Sequence, residues 1–201
     1  MTFSDRIPPE YQDILDLRGN NPIGGVPPTE EMFEFFAGVG SYVGPVTNIL
    51  EFGFLYGMSA AIQLTVHPMS VLDAYDVNLW ELDVGPKSFS AKINSPELAK
   101  IVWDNRFNFY HESSVEARSR PKGYYQYVFI DGLHTFQGAS SDIETARQLR
   151  IPYAYIDNTL RTGVSEAIKN SGVRHISTLE YDEYNPISKK SNKDCIGLYA
   201  L

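Results

Sequence analysis

The stretch Thr-Asn-Ile-Leu-Glu-Phe-Gly-Phe-Leu-Tyr-Gly-Met-Ser, residues 47–59, decides the fold class of this chain. Its first half is a short apolar run typical of a buried strand, and its second half leads into an alanine-rich segment typical of a helix. Between them, Gly53 and Gly57 allow the backbone to turn sharply and to pass close to a ligand. The stretch therefore predicts a strand–turn–helix unit, with its turn at the strand end where open α/β sheets bind ligands.

The rest of the chain repeats this alternation of strands and helices. The sequence predicts seven strands. The first is at 47–52, and the other six lie at 70–77, 108–111, 124–130, 151–156, 173–179 and 195–201. Helices are predicted at 10–17, 29–38, 57–66, 96–104, 136–149 and 163–170, with Thr29 as an N-cap. This pattern predicts an α/β fold with a doubly wound, mostly parallel, Rossmann-like sheet. The last two strands have no helix between them, so they predict a C-terminal antiparallel hairpin with a loop over 181–193. Residues 78–95 are interpreted as a second loop.

Composition narrows the classes of protein that fit. With 17 Lys+Arg against 25 Asp+Glu the net charge is −8, which argues against a nucleic-acid partner. The single cysteine, Cys195, excludes an intrachain disulfide and fits a cytoplasmic location. The sequence has no run of about 18 apolar residues, so it predicts no membrane-spanning helix. We divide the chain into an N-terminal arm and helix over 1–46, expected to cover the substrate and cofactor, and a core over 47–201.

An acidic residue follows the second predicted strand. Asp76 stands at the strand end where an acid usually binds the ribose hydroxyls of a nucleotide cofactor. Asp73 competes for this role, although strand alternation puts it on the opposite face of the sheet. The alternative for Asp76 is a residue that only caps a turn.

The segment 49–59 resembles the first motif of class I S-adenosylmethionine-dependent methyltransferases, in the E-x-G-x-x-x-G-x-S form of small bacterial O-methyltransferases. The resemblance implies that the glycine turn holds the methionine part of S-adenosylmethionine, that Asp76 holds the ribose, and that a residue after the third strand contacts adenine. The implied cofactor-binding residues are Glu51, Gly53, Phe54, Tyr56, Gly57, Ser59, Asp76, Ser114 and Asp131. Leu55 occupies the second glycine position of the G-x-G-x-x-G dinucleotide fingerprint, which disfavours a nicotinamide dehydrogenase.

Two neighbouring predicted strands each end in polar residues. Asp131 follows the strand at 124–130, with His134 three residues on, and the pair Asp157-Asn158 follows the strand at 151–156. Two carboxylates and an amide oxygen suit Mg²⁺ or another hard divalent cation. The spacing of Asp131, Asp157 and Asn158 resembles that of the metal ligands in caffeoyl-CoA and catechol O-methyltransferases. The segment Asp131-Gly-Leu-His134 resembles the branch related to macrocin O-methyltransferase.

These features predict a metal-assisted O-methyltransferase that acts on a small hydroxylated molecule. Asp131 and His134 are the predicted catalytic residues, with His134 as the base that takes the hydroxyl proton. Two alternatives stay open: a metal-independent methyltransferase acting on another nucleophile, and a non-catalytic, regulatory S-adenosylmethionine-binding protein. His134 has its own alternative as a helix N-cap or surface residue. The resemblance also implies a homodimer as one assembly.

Overall fold

The computed structural model describes residues 26–78, 81–84, 91–94, 99–100, 102–119, 124–185 and 190–201. The predicted helix at 10–17 lies outside these residues. No helix in the described ranges combines the length and apolar character needed to cross a membrane.

Seven of the described strands form one sheet, as the alternation predicted. The strands are β1 (Asn48–Phe52), β2 (Val71–Tyr75), β3 (Glu81–Val84), β4 (Ala91–Asn94), β5 (Phe107–Tyr110), β6 (Tyr127–Ile130), β7 (Tyr153–Ile156), β8 (Arg174–Asn185) and β9 (Lys190–Ala200). The order in the large sheet is β5-β2-β1-β6-β7-β9-β8. Strands β5, β2, β1, β6 and β7 are parallel, whereas β9 runs antiparallel to both β7 and β8. The predicted fold class, including the closing hairpin, is confirmed.

Helices cover both faces of this sheet. They are α1 (Glu30–Gly38), α2 (Gly40–Val43), α3 (Met58–Val66), α4 (Phe136–Gln148) and α5 (Thr162–Ser171). The Thr29 hydroxyl accepts a hydrogen bond from the Met32 N–H at 3.3 Å, which confirms the predicted N-cap of α1. One apolar core packs α1 and α3 on one face, and a second packs α4 and α5 on the other. Because both faces are covered, the central strands are apolar along most of their length.

Two predicted loops were wrong. Strands β3 and β4 form a separate antiparallel pair within the stretch interpreted as a loop over 78–95. Strand β8 continues to Asn185 and strand β9 begins at Lys190, so the two strands occupy most of the predicted loop over 181–193. Both segments are polar, and polar residues are compatible with antiparallel pairs that do not have to be buried on both faces. The hairpin is thereby long enough to reach the carboxyl end of β7.

Candidate active site

The turn after β1 is shaped by two glycines with left-handed backbone. Gly53 has a φ of 87° and Gly57 a φ of 76°. A Cβ atom on Gly53 would overlap the carbonyl oxygen of Asp131, and one on Gly57 would overlap the Phe54 ring. Leu55 also has a positive φ, 49°, a conformation uncommon for a residue with a side chain. The turn is therefore packed directly against the end of β6.

Asp76 lies against this turn. Its Oδ2 accepts hydrogen bonds from the N–H groups of Phe54 at 2.9 Å and Leu55 at 3.2 Å, and its Oδ1 accepts from the Asn78 N–H at 2.9 Å. The side chain thus caps backbone donors of the glycine turn, and its predicted contact with ribose stays a prediction. Asp73, in contrast, is buried and accepts hydrogen bonds from Tyr125 and Asn108, both at 2.7 Å, so it does not compete for that role.

Glu51 is the most deeply enclosed of the predicted cofactor residues. Its side chain is 0% exposed; Oε1 accepts a hydrogen bond from the Ser59 hydroxyl at 2.6 Å and Oε2 accepts from the Gln63 amide at 2.8 Å. Burial raises the pKa of Glu51 to about 8, the hydrogen bonds from Ser59 and Gln63 oppose this shift, and the negative charges of Asp131 and Asp76 add to it. Ser59 was predicted, but Gln63 was missed because a single glutamine inside a helix carries no pattern.

Three other predicted cofactor residues lie in different surroundings. The Phe54 ring is buried against Phe107 and Phe109, at centroid distances of 5.2 and 5.5 Å, and it also packs against Gly57, so it supports the turn from the protein interior. The Ser114 hydroxyl donates a 2.5 Å hydrogen bond to Asp142 of α4. Tyr56 is half-buried on the turn itself, and burial raises its pKa. The cofactor contacts of all three stay predictions.

Asp131 and His134 form a pair at the end of β6. The Asp131 N–H donates to the Phe52 carbonyl at 2.8 Å, which ties this residue to the end of β1. His134 Nε2 lies 3.1 Å from Asp131 Oδ1, and the two side chains are 32% and 18% exposed. Burial raises the pKa of Asp131, and the hydrogen bond and positive charge of His134 oppose that shift. The N-cap of α4 is Thr135, whose hydroxyl accepts from the Gly138 N–H at 3.1 Å, so the N-cap alternative for His134 is wrong.

Asp157 and Asn158 follow β7 and are each 2% exposed. Asp157 Oδ1 accepts a 2.6 Å hydrogen bond from the Tyr181 hydroxyl, and Asn158 Nδ2 donates a 2.8 Å hydrogen bond to Asp194 Oδ2. Burial, and then the negative charge of Asp131, raise the pKa of Asp157 well above its usual range. The Asp157 N–H donates to the Ile130 carbonyl at 3.0 Å, and Ile130 pairs with Ile156, so Asp131 and Asp157 follow neighbouring positions at one sheet edge.

Sequence reasoning missed Tyr181 and Asp194. Tyr181 is the first residue of the predicted loop over 181–193 and Asp194 directly follows that loop, and the two are cross-strand partners in the register of β8 and β9. The Arg161 guanidinium lies 3.6 Å from Asp194 and was also missed. The alternation of apolar or aromatic with acidic residues over Leu179-Glu-Tyr-Asp182 is the signal that could have indicated a strand here.

The donor chemistry of Asp131, Asp157 and Asn158 fits a hard divalent cation. Asp131 contacts His134 through one carboxylate oxygen, and Asp157 accepts hydrogen bonds from the Tyr181 hydroxyl and the Asn158 N–H. A carboxylate has about four acceptor sites, so these bonds are compatible with cation binding. Asn158 uses its amide nitrogen for Asp194, which leaves its carbonyl oxygen as the ligand atom. Within the described residues, no three His, Cys, Asp or Glu side chains form a group that could hold a metal ion. An ion here would therefore depend on the Asn158 oxygen as its third protein ligand.

Comparison with solved structures identifies the fold. An O-methyltransferase from Bacillus cereus in complex with SAH is 15% identical and superposes with a TM-score of 0.60 over 96% of this chain and 90% of its own. A Staphylococcus aureus protein assigned as a caffeoyl-CoA O-methyltransferase is 14% identical, with a TM-score of 0.58 over 98% of this chain and 94% of its own. The 1,6-didemethyltoxoflavin-N1-methyltransferase of Burkholderia thailandensis is 12% identical, with a TM-score of 0.55 over 98% of this chain and 86% of its own.

The chain therefore has the fold of class I S-adenosylmethionine-dependent methyltransferases. Several of the solved structures that share it are O-methyltransferases, and others methylate nitrogen. No family model matches the sequence. A comparison with curated proteins also gives no match.

Proposed function

We propose that this protein is an S-adenosylmethionine-dependent methyltransferase that methylates an oxygen of a small hydroxylated molecule. The observation that carries this proposal is the contact between the glycine turn and the end of β6. The Asp131 carbonyl oxygen lies where a Cβ of Gly53 would be, and the same residue holds His134 through its carboxylate. The residues proposed for cofactor binding and for proton transfer are thus adjacent in the fold.

His134 is the proposed base. Its Nε2 lies against Asp131, so in the tautomer that donates from Nε2, Nδ1 is left to accept the proton of an incoming hydroxyl. The Asp131 carboxylate orients the imidazole and stabilises its positive charge after proton transfer, as a carboxylate does in other Asp–His pairs. The loop that carries His134 is packed against the start of α5, because a Cβ on Gly163 would lie 2.8 Å from the His134 carbonyl oxygen. This packing holds the base close to one position, which supports attack along one line.

The metal-assisted form of the proposal assigns Asp131, Asp157 and Asn158 as the residues that would hold Mg²⁺ or a similar ion. When bound, such an ion lowers the pKa of a coordinated hydroxyl group and orients it. The placement of Asp131 and Asp157 directly after the paired residues Ile130 and Ile156 supports this assignment, since two adjacent carboxylates repel each other and a cation relieves that repulsion. In the metal-independent alternative, these side chains only line the sheet edge and His134 acts alone.

Calorimetry with S-adenosylmethionine, in Mg²⁺ and in EDTA, tests the cofactor part of the proposal. We expect binding in both conditions, and an absence of binding would contradict a methyltransferase of any kind. A screen of small alcohols and phenols, read out as S-adenosylhomocysteine formation, then tests the acceptor. A protein that binds the cofactor but methylates no compound in an extended screen, including amines, would favour the non-catalytic alternative.

Two substitutions separate the proposed roles once an acceptor is found. We expect His134→Ala to reduce kcat by roughly 10²–10⁴-fold, the usual contribution of a positioned base. His175→Ala is the matched control, because His175 is an exposed histidine of β8 that contacts Thr178 rather than the site. If Asp157→Ala and the wild type turned over the acceptor equally fast in EDTA and in Mg²⁺, the metal-assisted form would be wrong.

A further inference from the structure

Two buried side chains of the C-terminal hairpin contact the residues that follow β7. Tyr181 of β8 donates its hydroxyl to Asp157 Oδ1 at 2.6 Å, and Asp194 of β9 accepts from Asn158 Nδ2 at 2.8 Å. Tyr181 and Asp194 lie opposite each other in the hairpin register. One rung of the hairpin therefore contacts both members of the Asp157-Asn158 pair.

These contacts are directional, and they are anchored in the hairpin backbone. The other oxygen of Asp194, Oδ1, accepts the Cys195 N–H at 2.8 Å. The Thr159 N–H donates to the Cys195 carbonyl at 3.0 Å, so the chain just after Asn158 is bonded to the same strand. With its nitrogen held by Asp194, the Asn158 amide has only one orientation that satisfies it, and its carbonyl oxygen faces away from Asp194.

We propose that Tyr181 and Asp194 are positioning residues that set the orientation of Asp157 and Asn158, a proposal that rests on the proposed function insofar as this pair serves catalysis. Neither is a catalytic residue, because each acts through the side chain that it contacts. Outer partners of this kind orient the groups that bind a metal or substrate, and their loss typically reduces affinity or activity roughly 10–100-fold. The assignment gives the hairpin a task in the site in addition to closing the sheet.

A purely structural role is the competing interpretation. In that case the two hydrogen bonds only satisfy buried polar groups, and the Asp157-Asn158 pair keeps its orientation when they are lost. Tyr181→Phe and Asp194→Ala distinguish the two interpretations. Tyr199→Phe is the matched control, because Tyr199 is another buried tyrosine of the hairpin whose ring packs on His175, away from the pair.

The test combines crystal structures of the wild type and the three variants with Mn²⁺ titrations followed by electron paramagnetic resonance. We expect Asp157 to rotate in Tyr181→Phe, Asn158 to rotate in Asp194→Ala, and Mn²⁺ affinity to fall roughly 10–100-fold in both. Tyr199→Phe should change neither quantity, and S-adenosylmethionine affinity should stay within about twofold in every variant. Asn158 Nδ2 also donates to the Tyr181 hydroxyl at 3.4 Å, so Tyr181→Phe removes a contact of both members of the pair, whereas Asp194→Ala removes a contact of Asn158. If one substitution prevents folding, the other decides.

Unchanged orientations in the folded variants would overturn the positioning role, as would unchanged Mn²⁺ affinity where the wild type binds the ion. The failure of the proposed function gives a different result. A wild type that binds S-adenosylmethionine but no Mn²⁺ contradicts only its metal-assisted form, and a wild type that does not bind S-adenosylmethionine contradicts the function as a whole. In both cases the crystal structures still decide the role of Tyr181 and Asp194.

Discussion

Replacing Glu51 by glutamine is expected to stabilise the cofactor-free protein, and increasingly so as the pH rises. The Glu51 carboxyl is completely buried, and the two side chains bonded to it, Ser59 and Gln63, are neutral. Its pKa is raised from 4.5 to about 8. In the unfolded chain the group ionises near its ordinary pKa, while in the folded protein it stays protonated until about pH 8. The stability that depends on the neutral form is therefore complete below about pH 4.5 and is lost as the pH rises through 8.

The magnitude follows from the size of the shift. Each unit of pKa difference corresponds to about 1.4 kcal/mol, so the wild type should lose on the order of 3–5 kcal/mol from this group between pH 4.5 and 8. In the Glu51→Gln variant the new amide would be neutral throughout and would keep the hydrogen bond from Ser59. It could also donate to Gln63 Oε1, which is buried and has no hydrogen-bond partner among the described residues, after the Gln63 amide rotates. The rotation puts the Gln63 amide nitrogen where its oxygen now has no partner within the described part of the chain, so the substitution exchanges one unpaired buried group of Gln63 for another.

Urea unfolding, followed by circular dichroism at half-unit steps from pH 5 to 9, measures the effect. We expect the free energies of unfolding of Glu51→Gln and the wild type to agree within about 1 kcal/mol at pH 5, and the variant to be more stable by about 3 kcal/mol or more at pH 8. Glu34→Gln, at an exposed position of α1, is the control and should follow the wild type. Parallel curves for Glu51→Gln and the wild type across this range would refute the reasoning.

Further predictions concern packing and a second buried group. Gly53→Ala should destabilise the protein by about 3 kcal/mol or more, because the new Cβ would overlap the Asp131 carbonyl oxygen and the φ of Gly53 is 87°. Gly38→Ala is the control, because a Cβ there would have nothing within 4 Å, and it should be neutral or slightly stabilising. Thermal unfolding measures both variants. Burial lowers the pKa of His67 to about 4, opposed by its contact with the Phe36 carbonyl. The stability that depends on neutral His67 is present above about pH 6.5 and should fall by roughly 3 kcal/mol towards pH 4. The free energy of unfolding of His67→Gln should therefore depend less on pH between 6.5 and 4 than that of the wild type. An equal pH dependence of the two proteins in this range would contradict the prediction.

The sequence was informative wherever a single local pattern carried the signal. Apolar runs followed by glycine turns located β1 and β6, because a strand covered on both faces must be largely apolar. The sequence also predicted that Asp131 and Asp157 lie at one sheet edge, because the carboxyl ends of adjacent parallel strands meet there, and β6 and β7 are such a pair. The polar strands β3 and β4, and the polar parts of β8 and β9 next to their turn, gave no such signal and were interpreted as loops.

The identity of the groups around each candidate residue depended on contacts distant in sequence. The glycine turn, the strand-end acids and the seven-strand alternation were determined by the sequence alone, because each is a property of neighbouring residues. Only the tertiary structure decided that Glu51 is enclosed by Ser59 and Gln63, that Asp76 caps the glycine turn, and that Thr135 rather than His134 caps α4. It also decided that Tyr181 and Asp194 reach the Asp157-Asn158 pair, because hairpin register and strand length set which distant side chains meet.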